Sequence, residues 1–294
     1  MSTSGTVVLT GASTGIGRAA ALHLDREGFR VFAGVRREAD GESLRKEGSE
    51  RLEPLLLDVT DAAAIAAAAK RVEAEVREAG LSGLVNNAGI GLGAPVEFLD
   101  LDELRRQFEV NVVSVVAVTK AFLPAIRRAR GRIVNVGSIG GRVSQPLVAP
   151  YNASKFALEA LSESERMELA PWGIQVSLIE PGAIDTAIWG KTESYAASML
   201  AGLPRDATEL YGDAIRAVLA MMEQQKRVAI PPAAVARAIH HALTAARPKA
   251  RYLVGTDAKV QALLARWLPD RWRDAIIVRF MKYPRSHSAS KPIP

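Results

Sequence analysis

The chain has 294 residues, no cysteine and a formal net charge of +6. Its length suits one large α/β domain with a sizeable core, and the lack of cysteine excludes disulfides, thiolate metal sites and thiol nucleophiles. Only 5% of the residues are aromatic, so the basic charge lacks the stacking side chains of a nucleic-acid surface, and we expect no nucleic-acid partner.

Short apolar runs alternate with helical stretches along the chain. Apolar runs without alternation indicate strands that are buried on both faces. The predicted strands are Thr6–Thr10, Arg30–Val35, Leu55–Asp58, Gly83–Asn87, Arg132–Val136, Gln175–Glu180 and a later short one, Arg251–Val254. Strands that alternate with helices predict a doubly wound parallel sheet with right-handed crossovers. No linker or repeat interrupts the pattern, so we expect one domain over residues 1–294.

Two helices and an insertion complete the prediction. The first helix is expected from Arg18 to about Glu27, and Gly28 closes it. Another is expected from Asp61 to Ala79, where the aspartate can cap the first turn. Residues 187–232 show helical patches but no strand, which is typical of an insertion that covers a ligand and equally of added helical packing. A C-terminal extension covers about 260–294, and its tail after residue 284 is polar.

A glycine-rich loop joins the first strand to the first helix. Gly11, Gly15 and Gly17 stand where a dinucleotide site requires them. Gly11 permits a tight turn, and the other two let the backbone approach a pyrophosphate at the helix N-terminus. The alternative is an ordinary strand-to-helix turn. The GxxxGxG spacing differs from the common GxGxxG.

The end of the second strand bears on the choice of cofactor. An acidic residue there would bind the ribose 2′-hydroxyl of NAD, but this strand is followed by Arg36 and Arg37. Two guanidinium groups suit a 2′-phosphate, by charge and by their forked donors. The sequence therefore favours NADP(H) over NAD(H), unless both arginines simply face solvent.

Tyr151 and Lys155 are four residues apart, and Ser138 precedes the tyrosine by thirteen. Residues at i and i+4 share a helix face, so the lysine can approach the phenol. A nearby positive charge favours phenolate and is expected to lower the pKa of Tyr151 from its usual value of about 10. The result would be a general acid/base usable near neutral pH. The alternative is an ordinary surface helix.

These motifs together resemble the classical short-chain dehydrogenase/reductase family over nearly the whole chain. The resemblance implies a three-layer α/β/α Rossmann fold and an enzyme that acts on CH–OH groups with NAD(P)⁺. It implies a catalytic tetrad of Asn111, Ser138, Tyr151 and Lys155, in which the asparagine supports a water relay to the lysine. The positions it implies for cofactor binding, besides Tyr151, Lys155 and the two arginines, are Gly11, Ser13, Thr14, Gly15, Ile16, Gly17, Asp58, Val59, Asn87, Ala88, Gly89, Pro181, Gly182, Ile184 and Thr186. By the same resemblance, Asp58 contacts the adenine ring, the 86–89 segment lies beside the adenosine, and the 181–186 loop contacts the nicotinamide.

A closer resemblance points to the retinol, hydroxysteroid and 3-hydroxybutyrate dehydrogenase branch. It rests on the segments 127–132, Gly141-Arg142-Val143, Glu180-Pro181-Gly182, Arg251-Tyr252 and Asp257-Ala258-Lys259. Many members of that branch use NAD and lack the Arg36-Arg37 pair, so their cofactor is not carried over. The N-terminal hydrophobic anchor of the membrane-bound vertebrate members is not found at the start of this sequence, so their localisation is not carried over either.

The substrate is expected to contact Ser138, Val143 and Tyr151, together with Ile188 and Trp189 of the insertion. Apolar residues near them favour a lipophilic alcohol or ketone of steroid, retinoid or long-chain type. These residues are Pro146, Leu147, Val148, Tyr195, Met199 and Leu200. The alternatives are a small polar hydroxy acid used with NAD(H), a non-catalytic NADP-binding regulator on the same fold, and a lyase or epimerase.

The four histidines (His23, His240, His241 and His287) show no metal-ligand spacing, so no metal is predicted. The C-terminal segments 266–273 and 276–280 mix aromatics with arginine, which suits a peripheral membrane surface, a cap on the substrate pocket or a subunit contact. No basic–apolar leader or run of about twenty apolar residues is present. We therefore expect a cytoplasmic protein, with possible weak membrane association, that forms a homodimer or homotetramer.

Overall fold

A computed structural model of the protein describes residues 5–186 and 205–284. Its centre is a seven-stranded sheet in the order β3-β2-β1-β4-β5-β6-β7, in which every neighbouring pair is parallel. The strands are β1 Thr6–Leu9, β2 Arg30–Val35, β3 Leu52–Leu56, β4 Gly83–Asn86, β5 Arg132–Val136, β6 Gln175–Pro181 and β7 Arg251–Val254. The strand order reverses beside β1, and ligands of such sheets bind outside the carboxyl ends at that point.

Helices cover both faces of the sheet, which confirms the predicted α/β fold. The helices of the described residues are α1 Gly15–Arg26, α2 Glu38–Arg45, α3 Ala62–Val76, α4 Leu101–Phe108, α5 Ser114–Ala129, α6 Ala149–Leu169, α7 Arg205–Arg227, α8 Ala233–Thr244, α9 Thr256–Trp267 and α10 Asp270–Phe280. One apolar core lies between the sheet and α1, α2 and α8, and a second lies between the sheet, α3 and α5.

Several element boundaries differ from the sequence prediction, and two of the differences are explained by particular residues. The helix after the glycine loop begins at Gly15 rather than Arg18, because the last two loop glycines already form its first turn. Strand β3 covers Leu52–Leu56 rather than Leu55–Asp58, because Glu53 and Pro54 interrupt the apolar run at the edge of the sheet. The predicted cap is confirmed: the Asp61 carboxylate accepts hydrogen bonds from two backbone N–H groups of the first turn of α3.

A continuous helical stretch, Leu101–Ala129, is 29 residues long and apolar enough to cross a membrane by length and composition. It corrects the expectation that no such stretch exists. Its side chains Val118, Phe122 and Ile126 are almost fully buried against the sheet, so this stretch packs as a core helix. A π-helical turn at Glu109–Val113 separates its two α-helical parts.

The residues just before and just after the insertion that follows β6 lie side by side. Ile184 forms a parallel bridge with Ile230, and the Ile230 N–H donates to the carbonyl of Ala183 at 3.1 Å. Helix α7 follows within the insertion, and α10 folds back so that Met281 packs against Val218 and Met221 of α7. Both α7 and the C-terminal helices therefore lie on the side of the molecule where β5 and β6 end.

Candidate active site

The glycine loop has a geometry that only glycine satisfies. Gly11 and Gly15 have φ of +68° and +58°, a region that L side chains rarely adopt. A Cβ on Gly17 would lie 2.1 Å from the carbonyl oxygen of Gly11. The loop thus presents bare backbone at the start of α1, where a helix N-terminus favours anionic groups. This cradle fits the pyrophosphate of a dinucleotide.

Hydrogen bonds fix this loop against the end of β4. Asn87 Nδ2 donates to the carbonyls of Thr10 and Gly11 at 3.0 and 3.1 Å. The Thr10 hydroxyl oxygen accepts from the backbone N–H groups of Asn87 and Ala88, both at 3.0 Å. Two adjacent strand ends are thereby locked together. The sequence prediction gave no sign that Thr10 makes these bonds.

The two arginines after β2 differ in their surroundings. Arg37 donates to Asp40 through Nε and Nη2 at 3.0 and 2.8 Å, and its side chain is 77% exposed. Arg36 is exposed and lies near Asp58, whose pKa is lowered chiefly by a hydrogen bond from the Thr60 backbone and in smaller part by the Arg36 charge. The Arg36 guanidinium is therefore on the side of the predicted adenosine site, whereas Arg37 is already paired.

Ser138 and Tyr151 meet at the end of β5. Ser138 directly follows the strand, and its Oγ accepts from the N–H of Gly140 at 3.0 Å. Tyr151 lies in the first turn of α6. A Cβ on Gly140 would lie 3.3 Å from the Tyr151 ring and 3.4 Å from Ser138 Oγ, so the two side chains are neighbours. The structure thus brings the predicted pair together, with both hydroxyls on the wall of one cavity.

Lys155 lies one turn further along α6 and is 94% buried, with a relative exposure of 6%. Its Nζ donates to the carbonyl of Val136 at 2.9 Å and lies 5.8 Å from the centre of the Tyr151 ring. Burial lowers the pKa of Lys155 to about 8. Burial also raises the pKa of Tyr151, and the Ser138 hydrogen bond opposes that rise. The expected lowering of the Tyr151 pKa is therefore wrong for this arrangement, because desolvation outweighs the charge of a lysine that bonds to the backbone.

Asn111 lies in the π-helical turn and is 1% exposed. Its side chain accepts from the N–H of Ile90 and donates to the Ile90 carbonyl, both at 2.9 Å, and also donates to Ser154 Oγ at 3.0 Å. A Cβ on Gly89 would lie 3.3 Å from Asn111 Oδ1 and 3.9 Å from Lys155 Nζ. The asparagine therefore holds the segment between itself and the lysine. Gln107 bonds the same segment at Ile90 and Leu92, a role that the sequence did not reveal.

The loop after β6 faces the glycine loop. A Cβ on Gly15 would lie 3.1 Å from Thr186, so this threonine stands above the start of α1. Asp257, in the first turn of α9, accepts from the N–H of Ala183 at 2.7 Å. It also fills the space beside Gly182, where a Cβ would lie 2.1 Å from its carboxylate. The C-terminal region thus holds the predicted nicotinamide loop, through a residue whose role the sequence left unassigned.

A cavity of about 290 Å³ opens in front of Tyr151 and Ser138. Val143, Ile184 and Ile16 of the glycine loop line it. Its far wall comes from α7, through Ile215, Val218, Leu219, Met221 and Met222. The sequence did not single out these residues, although they recur at helical spacing. The predicted contacts Ile188 and Trp189, with Tyr195, Met199 and Leu200, lie outside the described residues.

A buried charge cluster lies next to the catalytic helix. Glu180 is fully buried on β6 and accepts from Arg142, including one bond of 2.9 Å from Nη2. Glu159, one turn after Lys155, accepts from Arg251 Nη2 at 3.0 Å, and Arg251 also pairs with Glu163. Three segments of the closer family resemblance therefore converge here. The cluster ties the turn after Ser138 to α6, β6 and β7.

The cluster gives a prediction for stability against pH. Burial, followed by the neighbouring Glu180, raises the pKa of Glu159 from its ordinary 4.5 to about 7. Because the folded-state pKa is raised, the stability that Glu159 contributes is fully present below about pH 4.5 and is lost as the pH rises through about 7. As the pH rises from 5 to 8, we expect the melting temperature of Glu159→Gln to fall less than that of wild type. Scanning calorimetry measures both.

The matched control is Glu163→Gln. Arg251 lowers the pKa of exposed Glu163, so that carboxylate stays ionised over the same window and its replacement should leave the slope unchanged. Equal slopes for wild type and Glu159→Gln would contradict the raised pKa.

Comparison with known proteins places these features in one family. The family model described as short chain dehydrogenase matches residues 5–196. Human "Retinol dehydrogenase 5" is 39% identical over 95% of this chain and 89% of its own length. The "NADPH-dependent 3-dehydrocapnine reductase" of Ornithobacterium rhinotracheale is 34% identical over 94% of this chain and 96% of its own length.

A solved structure agrees with this placement. A short-chain dehydrogenase from Burkholderia cenocepacia, in complex with NADP, superposes with a TM-score of 0.70 at 26% identity, covering 95% of this chain and 98% of that one. Together with the parallel sheet, these matches mean that the chain is an oxidoreductase that acts on alcohols and binds a nicotinamide cofactor and a small-molecule substrate. The chain belongs to the short-chain dehydrogenase family.

Proposed function

We propose that the protein is an NADP(H)-dependent oxidoreductase that interconverts a secondary alcohol and a ketone, or a primary alcohol and an aldehyde, on a lipophilic substrate. The observation that supports it most is that the side chains of Ser138 and Tyr151 lie next to each other on the wall of an apolar cavity. A reacting carbonyl oxygen can reach both hydroxyls there, next to the loop that suits a dinucleotide.

The proposed mechanism assigns one task to each side chain. The cofactor, when bound, supplies or accepts the hydride. In reduction, Ser138 donates a hydrogen bond to the carbonyl oxygen and polarises it, and Tyr151 gives its proton to that oxygen. The raised pKa of Tyr151 keeps the phenol protonated near neutral pH, as a proton donor requires. Oxidation reverses the path and needs the deprotonated phenol.

Lys155 and Asn111 serve that pair in the proposal. Lys155 holds the nicotinamide ribose and stabilises negative charge on the Tyr151 oxygen as the proton leaves. Asn111 acts as a positioning residue, because its bonds to Ile90 and Ser154 fix the segment beside the lysine. The predicted water relay from Asn111 to Lys155 stays part of the proposal.

The choice of NADP(H) rests on Arg36. Its charge lies near Asp58, beside the predicted adenosine site, where a 2′-phosphate would be recognised by a guanidinium. A relative named as NADPH-dependent and a neighbour solved with NADP support this choice. The other predicted cofactor contacts are proposed on the same basis: the 11–17 loop with Ser13 and Thr14, Val59, the 87–89 segment and the 181–186 loop.

The lipophilic substrate class rests on the α7 wall. Two methionines at positions 221 and 222 and three aliphatic residues before them line the cavity opposite Tyr151. Unbranched thioether side chains adapt to irregular apolar ligands. The name of the human relative, a retinol dehydrogenase, supports an apolar alcohol or aldehyde over a small hydroxy acid.

A substrate panel tests this class. Wild type is expected to turn over retinoids, steroids or long-chain aldehydes with NADPH and to leave small hydroxy acids unchanged. Met222→Gln keeps the side-chain size but exposes a polar amide to the substrate, so kcat/KM for the best lipophilic substrate should fall about tenfold. Leu210→Gln is the control, since Leu210 is exposed on the same helix at 43%. Turnover of hydroxy acids alone would contradict the lipophilic class.

We also propose that α9 and α10 associate with anionic lipid. Trp267 and Trp272 are 70% and 68% exposed, and over residues 256–284 six Lys or Arg outnumber three Asp. Aromatic and basic side chains on one amphipathic surface suit the headgroup region of a membrane. The proposed ligand of this surface is therefore anionic lipid rather than a protein partner.

Vesicle co-sedimentation tests that surface. Wild type is expected to sediment with phosphatidylserine-containing vesicles at low salt and to be released at high salt, while a Trp267→Ser, Trp272→Ser double variant stays soluble with normal turnover. Equal sedimentation of both proteins, or none by either, would contradict lipid binding.

We propose that the protein is cytoplasmic and peripheral to a membrane, in line with the proposed lipid-binding surface on α9 and α10. A single domain that forms a homodimer or homotetramer is expected from the family, and light scattering after gel filtration measures that state directly.

A further inference from the structure

Folding brings together side chains that the sequence keeps far apart. His23 and Glu27 lie one helical turn apart at the end of α1, and His240 comes from α8. One nitrogen of each histidine and one carboxylate oxygen all lie within 4.8 Å of one another. The spacing along the sequence does not reveal this group, because two helices that pack side by side supply its side chains.

The two rings are held in place by their neighbours. Their centroids are 5.3 Å apart at an interplanar angle of 85°, and Phe29 packs edge-on against His240 at 6.1 Å. His23 Nδ1 lies 3.9 Å from Glu27 Oε1. His23 Nε2 is buried, and among the described residues it has no hydrogen-bond partner. A buried polar atom without a partner costs free energy unless a ligand satisfies it.

Charged side chains lie around the cluster. Those that act on His23 are Glu27, Arg26 and Arg237. Arg26 and Arg237 repel a cation, and Glu27 is the acidic group that counters them.

We propose that His23, Glu27 and His240 bind a divalent transition metal such as zinc, with solvent as the fourth ligand. Imidazole and carboxylate are zinc ligands at about 2.0–2.2 Å, which places the ligand atoms roughly 3.3 Å apart in a tetrahedron. The site would clamp α1, which begins at the glycine loop, to α8, which follows the insertion. Its role is structural, because these residues lie on the second half of α1 and outside the cavity.

Metal titration of untagged, chelator-treated protein tests the site. Zinc is expected to raise the melting temperature of wild type by about 3 °C or more at saturation, and cobalt is expected to give visible d–d absorption. His240→Gln and Glu27→Gln should lose both signals. His241→Gln is the matched control and should keep them, because His241 is the adjacent residue and bonds to Tyr252 instead.

The variants also separate this site from adventitious binding and from catalysis. Glu27 is 44% exposed in its side chain, so Glu27→Gln is expected to fold normally even if His240→Gln does not. Retention of the zinc shift in Glu27→Gln, or its absence in wild type, would overturn the proposal. NADPH-dependent turnover should survive chelation, so failure of the proposed activity and failure of the metal site are distinguishable.

Discussion

Tyr151→Phe is expected to lower turnover by about 10³-fold and to leave NADP(H) binding intact. The change removes only the hydroxyl, so the ring still fills its place in the first turn of α6. General acid catalysis by a positioned side chain contributes about 10²–10⁴-fold, and the reaction has no other proton donor at this oxygen in the proposed mechanism. Single-turnover kinetics with NADPH, together with fluorescence titration of the cofactor, measures both quantities.

The matched control is Tyr211→Phe. Tyr211 donates to Glu97 at 2.9 Å at the surface, so the same chemical change there should alter turnover less than about twofold. Near-normal turnover in Tyr151→Phe would remove the tyrosine from the mechanism, whatever the control shows.

Arg36→Ala is expected to raise the KM for NADPH by about 10- to 100-fold and to leave the KM for NADH nearly unchanged. A hydrogen bond to a charged group contributes about 1.5–3 kcal/mol, and each 1.4 kcal/mol is tenfold. NADH lacks the 2′-phosphate, so it has no contact to lose. Steady-state kinetics with each cofactor at a fixed substrate concentration gives the ratio.

Arg37→Ala separates the two arginines. Asp40 already holds the Arg37 guanidinium at 2.8 Å, so its loss should change the NADPH constant by much less than the loss of Arg36. If neither variant changes the ratio of the KM for NADPH to the KM for NADH, the proposed cofactor preference is wrong.

Local patterns predicted the fold and the centre of the site well. Buried strands show as unbroken apolar runs, and the glycines at 11, 15 and 17 mark a turn that no larger residue fits. Tyr151 and Lys155 are close in sequence and lie on one helix, so their meeting follows from helical geometry alone. Ser138 directly follows β5, and α6 is the next α-helix after that strand, so the short connection between them brings Ser138 to the pair.

The features that the sequence did not predict depend on contacts between residues far apart in the chain. Met222 and its neighbours on α7 read as an ordinary apolar helix face until the helix is seen across from Tyr151. Arg142, Glu180 and Arg251 occur in separate segments, and their common role in one buried charge cluster exists only after folding. Helical periodicity shows which side chains share a face, but not which element they will meet.

The direction of the Tyr151 pKa shift also could not be predicted from the sequence, because it depends on burial in the folded protein. Sequence spacing places a cation near the phenol, which argues for a lowered pKa. Spacing does not show how deeply the pair is buried, or that Lys155 donates to Val136. Desolvation therefore decides the direction of the shift in the folded protein, and the phenol stays protonated.

The most direct test of the proposed function is the stoichiometry of NADPH oxidation with a lipophilic aldehyde or ketone. The proposed reaction predicts one alcohol formed for each NADPH consumed by wild type, and neither change with Tyr151→Phe. NADPH that binds to wild type but is not consumed with any retinoid, steroid or long-chain carbonyl compound would contradict it, and would favour a regulatory cofactor-binding protein on this fold.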